Sequence, residues 1–177
     1  AANAASYAEA VADWIRLVGD AVRAAPEDRQ RTLAEARRAG SRARDGRQVA
    51  ITTFNTALLE PPTDNLNTGA VGVVLSWIRR ASDATVAAEA ILRHNWPTTD
   101  VAAALAEATV ADLRQSAVVM RDEDYDEGLD HELSLPSPLA RKSIDEPTGD
   151  RVADLMARAE LSATAALRAS HQVVMPK

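Results

Sequence analysis

The guanidinium groups of Arg37, Arg38, Arg42, Arg44 and Arg47 form the densest positive charge in the chain. Guanidinium stays charged at every working pH, and its forked donors match phosphate and carboxylate oxygens. A face of this kind can bind phosphates, with an affinity that falls as salt rises. It also suits a solvated helix face balanced by acids of a neighbouring helix or subunit, because no aromatic side chain is interleaved to stack on bases. A second basic pair, Arg79 and Arg80 after "VGVVLSWI", reads as side chains snorkelling at a helix edge.

Metal and catalytic chemistry find little support. The acidic run "DEDYDEGLDHE" (122–132) fails as a calcium loop, because counting from Asp122 puts Glu127 where glycine is needed and Leu133 where a bidentate glutamate is needed. It reads as a solvated acidic loop. His94, His131 and His171 are scattered, and none belongs to a His-Glu-x-x-His or Glu-x-x-His pair. Each reads as a surface or helix-end residue. No nucleophile elbow, phosphate loop or dinucleotide fingerprint occurs. The expectation is therefore no enzyme, no catalytic residue, no metal and no cofactor.

These groups need a scaffold, and 177 residues suit one domain. Hydrophobic residues make up 46% but aromatics only 3%, so alanine carries much of the apolar content. At roughly 25 cal/mol per Å², a buried methyl stabilises far less than a buried leucine side chain. The core should be thin for its length, and self-association is one way to supplement it. The absence of cysteine excludes disulfides and thiolate chemistry. No apolar run approaches the ~20 residues of a membrane span, and the start has no signal-peptide pattern. No membrane partner and a cytoplasmic location are therefore expected. The net charge of −6 argues against nucleic-acid binding by the whole surface, but not by a local basic patch.

Helical spacing of Tyr7, Val11, Trp14, Val18 and Val22 predicts a helix from about Ala4 to Ala24. Pro26 with Glu27 and Asp28 starts the next, which runs to about Arg44, with Gly40 and Gly46 weakening its end. Residues 47–58 stay ambiguous: Ala50, Phe54 and Leu58 make a helical stripe, while "VAITTF" suits a strand. A long helix is predicted from Gly69 to His94 and closed by Trp96-Pro97. Thr98 or Thr99 then caps a helix reaching about Arg121. A loop with Pro136, Pro138 and Pro147 leads to a last helix, from about Asp150 to His171. The expected fold is all-α: an antiparallel four-helix bundle with an additional C-terminal helix. Residues 1–135 would form the bundle core, and 136–177 a loop and helical extension of the same domain.

The stretch "NWPTT" (95–99) followed by "EATVADLRQSA" (107–117) resembles the coat proteins of rod-shaped plant viruses, the tobamovirus-like group. In that family the second long radial helix is entered through an Asn-Pro-Thr-Thr loop, matched here by Asn95, Pro97, Thr98 and Thr99. It carries an Asp-Ala-Thr-Val-Ala stretch followed closely by an arginine. Ala108, Thr109, Val110, Ala111 and Arg114 match these, with Glu107 replacing the aspartate. "GAVGVVLSWIRRASD" (69–83) is similar to the preceding radial helix, with Asp83 near its end, and Tyr125 matches a loop tyrosine. The helices from Ala4 to Arg44 would stand for the slewed pair.

The resemblance implies a structural subunit that assembles with itself into a helical particle around single-stranded RNA and resides in the virion. Where the family has RNA-binding arginines, this chain has Thr85, Ala87, Ala103 and Ala104, so the RNA contacts would fall to Arg79, Arg80, Arg93 and Arg114. Head-to-tail contacts that do not close into a ring generate filaments. The carboxylates Asp124, Asp126 and Glu127, if brought to a subunit contact, would repel one another until protonated or cation-bound, so acid should favour assembly. The alternative reading is a helical-bundle interaction module of a GC-rich bacterium, using the Arg37–Arg47 face to bind an acidic partner or DNA.

Overall fold

The computed structural model describes residues 1–59, 67–121, 135–146 and 149–173. They form six helices: α1 (Ala2–Arg23), α2 (Pro26–Ala57), α3 (Thr68–Arg93), α4 (Asp100–Arg121), α5 (Pro138–Asp145) and α6 (Arg151–Ser170). The protein is all-α, a four-helix bundle with a further C-terminal helix.

The predicted stripe of α1 is buried: Tyr7, Val11, Trp14, Val18 and Val22, together with Ile15, all face inward. After α1 the backbone extends at Ala24, and Pro26 opens α2 with Glu27 and Asp28 in its first turn. Proline is tolerated there because the first N–H groups of a helix have no intrahelical partner.

Here the structure corrects the sequence reading. Neither Gly40 nor Gly46 ends α2, and residues 47–57 are helix, not strand. The physical reason is contact with α1. A Cβ on Gly40 would stand 2.8 Å from the Trp14 ring, and one on Gly46 would meet the Tyr7 backbone at 3.8 Å. Glycine costs about 1 kcal/mol inside a helix, but at Gly40 it lets the indole lie flush against the α2 backbone, and packing outweighs propensity.

Cross-helix bonds define the directions. Asn3 Nδ2 donates to Thr53, and Arg29 Nε donates to the Ala21 carbonyl, so α1 and α2 run oppositely. Tyr7 bonds to Ser82 and Trp14 to Glu89, so α1 and α3 run together. Arg121 with Glu9, Arg114 with Asp13 and Arg23 with Glu107 set α4 against α1. The first four helices therefore alternate in direction. Thr99 bonds to Asp150, and Asp112 to Thr164, so α6 runs with α4. The Asn67 N–H bonds the Val173 carbonyl, which sets α6 against α3.

The largest packed interfaces join α1 to α4, α4 to α6, α6 to α3 and α1 to α2. The C-terminal helix thus lies in the core, where Val152, Met156, Ala159, Ala163 and Leu167 are buried. α2 lies along the outside of α1. Alanine fills much of this interior, and close approach is the gain: a Cβ on Gly19 would sit 3.0 Å from the Ala106 Cβ across the α1–α4 contact. A few larger side chains, among them Ile15, Ile78, Leu105, Leu113 and Met156, supply most of the bulk.

One further correction concerns a helix start. The expected proline loop contains α5, because Ser137 accepts the Ala140 N–H at 3.1 Å and Pro138 occupies the first turn. Pro138 is a helix opener rather than a breaker. Thr99 stands at the start of α4 as expected, directly before Asp100 with its carbonyl accepting the Ala102 N–H at 3.1 Å, and the Thr98 and Thr99 hydroxyls donate to Asp150 Oδ2 at 3.3 and 2.8 Å. Among the described residues no helix is long and apolar enough to cross a membrane.

Candidate anion-binding face

α2 buries only Leu33, Ala36, Ala39, Gly40, Ala43 and Ala50, a narrow stripe turned to α1. At ~100° per residue, Arg37, Arg38, Arg42 and Arg44 fan across the opposite side, and all four are exposed. None of them forms an ion pair among the described residues, whereas the arginines of α1, α3 and α4 are nearly all engaged. Arg47 departs from the fan. It is half-buried at the edge of the stripe and lines a cleft towards α3 together with Arg79.

The arginines assigned to RNA do not form one group. Arg79 lies 3.8 Å from Asp83 and Arg93 lies 3.6 Å from Glu89. The Arg80 guanidinium stacks 4.5 Å over the Trp77 ring, and Arg114 bonds Asp13 at 3.1 Å. Arg114 is on α4 and the others are on α3, and α1 and α6 bridge these two helices. The exposed pairs Arg79–Asp83 and Arg114–Asp13 contribute about 0–1 kcal/mol each, so they restrain the side chains without locking them.

Asp124, Asp126 and Glu127 lie outside the described residues, as do Tyr125 and His131. His94 and His171 are the C-cap residues of α3 and α6, the helix-end positions expected of them. No group of three or more His, Asp or Glu that could hold a metal occurs among the described residues.

Sequence reading missed two buried acids, Glu89 and Glu160, and a half-buried one, Asp112. Glu89, 4% exposed, accepts the Trp14 Nε1 hydrogen at 3.0 Å. Glu160, 2% exposed, accepts the Ser137 N–H at 2.6 Å and its hydroxyl at 3.0 Å. Asp112, half-buried on α4, accepts from the Thr164 hydroxyl at 2.6 Å. The available signal was position: Glu89 lies between Thr85 and Leu92 on the α3 stripe, and Glu160 between Met156 and Ala163 on that of α6. The surface clefts between α1 and α4 and between α2 and α3 are lined by other residues, so these three carboxylates brace helices rather than facing either cleft.

Burial pushes the Asp112 and Glu160 carboxyls above the usual carboxylate range, against the hydrogen bonds from Thr164 and Ser137. The Asp112 charge raises Glu160 further. With folded values above unfolded ones, the native state holds more protons between them. The stability contributed by these two groups is therefore fully present below the ordinary carboxylate range and is lost as pH rises through the raised values. Glu9 and Glu107 act oppositely, since Arg121 and Arg23 hold them below that range, but both are exposed and screened by solvent. Urea midpoints measured against pH should decline less steeply for an Asp112→Asn, Glu160→Gln variant than for the parent. Superimposable profiles would refute this assignment.

No family model, curated protein or solved structure matches the chain.

Proposed function

We propose that the protein is a non-catalytic helical-bundle binding module that engages a polyanionic partner through α2. The observation that carries this reading is the fan of Arg37, Arg38, Arg42 and Arg44, exposed and without ion-pair partners among the described residues. Such a face attracts acidic protein segments and nucleic-acid phosphates through the same guanidinium chemistry. Two features of α2 support the reading. Packing along α1 makes the helix a firm platform, and the outer side chains lose no core contact when a partner covers them.

Fluorescence anisotropy with labelled single-stranded RNA, duplex DNA and polyglutamate tests this directly. At least one should bind at low salt, and its log affinity should fall linearly with log salt. Changing all four arginines to glutamine should weaken binding at least tenfold and reduce the salt slope by about one for each lost phosphate contact. Unchanged binding by that variant, or no binding of any polyanion at ~50 mM salt, would overturn the proposal.

The second reading is a coat subunit that assembles helically around single-stranded RNA. Its support is the 95–117 resemblance, together with two long helices, α3 and α4, of opposite direction joined by a short turn at Asn95, which adopts φ 53°. Arg79, Arg80, Arg93 and Arg114 would then exchange their present neighbours for phosphates. Negative-stain microscopy across pH and salt, with and without RNA, should show rods or stacked discs. Small monodisperse particles under every condition would rule this reading out.

A further inference from the structure

Arg47 and Arg79 both line a cleft of about 260 Å³ between α2 and α3. Tyr7, Ile51, Phe54 and Leu75 supply its apolar surface. Gly72 shapes the wall: a Cβ there would stand 2.9 Å from Phe54 Cζ, so the missing side chain lets the phenyl ring lie against the α3 backbone. Asn55 and Ser76 add an amide and a hydroxyl to the lining.

The charge in this cleft is only partly satisfied. Arg47 forms no ion pair among the described residues, and the Asp83 carboxylate lies 3.8 Å from Arg79 Nε in an exposed pair. Burial pushes the Tyr7 phenol up, while its bond to Ser82 and the charges of Arg47 and Arg79 act in the other direction. Both guanidiniums are thus within electrostatic reach of the same phenol, and the Asp83 charge acts against them. Two cations lining one cleft with aromatic and aliphatic side chains make a different environment from the open fan of Arg37 to Arg44.

We propose that this cleft binds a small amphiphilic organic anion, its carboxylate or phosphate head between Arg47 and Arg79 and its apolar body against Phe54, Ile51 and Leu75. Guanidinium groups recognise either oxyanion by paired N–H donors. The volume lies just below the ~300–1,000 Å³ of most ligand pockets, which favours a body of a single ring. The site goes beyond the polyanion reading, because neither Arg79 nor the apolar surface belongs to the outer face of α2.

Amide chemical shifts of the full chain, titrated with phenyl phosphate and with benzoate, provide the test. At least one probe should shift the Asn55, Gly72 and Ser76 amides saturably, with inorganic phosphate and benzyl alcohol about tenfold weaker or worse. Arg47→Gln and Arg79→Gln should each weaken binding about tenfold, with the rest of the spectrum preserved, and Arg37→Gln should leave it unchanged. No saturable shift from either probe by ~10 mM, shifts centred elsewhere, or an equal loss in Arg37→Gln would overturn the assignment. That last result would indicate diffuse attraction by α2 and would leave the polyanion reading intact.

Discussion

Replacing Trp14 with alanine should cost about 3–5 kcal/mol of stability, the largest single-residue loss expected in this fold. Trp14 is 3% exposed in a chain whose interior is rich in alanine, so its loss removes one of the few large side chains of the core. Its ring packs on the α2 backbone at Gly40, and its Nε1 donates to Glu89 of α3. One side chain therefore ties α1 to two other helices. Truncation would also leave the buried Glu89 carboxylate with Arg93 at 3.6 Å as its remaining charged neighbour. Trp14→Phe keeps much of the bulk and removes the donor, and should cost about 1–3 kcal/mol.

Gly40→Val tests the same contact from the other side. In the parent chain it should cost about 1–3 kcal/mol by overpacking, and appreciably less once Trp14 is alanine. Urea unfolding followed by circular dichroism measures all the variants. Strictly additive losses would show that Trp14 and Gly40 are not coupled.

Asp150→Ala should cost about 3 kcal/mol, since one carboxylate organises the starts of two helices. Asp150 Oδ1 accepts the Val152 and Ala153 N–H groups at 2.9 and 3.0 Å, which caps α6. Its Oδ2 accepts the Thr99 N–H at 2.6 Å and the hydroxyls of Thr98 and Thr99. Alanine leaves donors at both helix starts without their acceptor. Asp150→Asn can keep the α6 cap, but it turns an NH2 group towards the threonine side or forces the reverse choice, and should cost about 1–2 kcal/mol. Hydrogen exchange should locate the damage: faster exchange in the first turns of both α4 and α6 for Asp150→Ala. Protection lost in α6 alone would show that the link to α4 carries no energy.

What was legible in the sequence was local. The stripe from Tyr7 to Val22, the Pro26 start and the Trp96-Pro97 stop depend on spacing within one helix and on backbone chemistry within a few residues, and the structure contains all three. The arginine fan was legible for the same reason, since a helix turns each residue by a known angle. What depended on neighbours was not. Gly40 reads as weakening the helix end until Trp14 is laid on it, and residues 47–57 of the ambiguous stretch became helix because α2 has α1 alongside. Pro138 looked like a loop residue because its role as an opener depends on Ser137, which in turn is held by Glu160, 23 residues away. The partners of Arg114 and Arg121 lie 101 and 112 residues away on α1, so only the packing of α1 against α4 decided that these two arginines are engaged. Periodicity is a property of one segment. Pairing is a property of two, and only the tertiary structure brings them together.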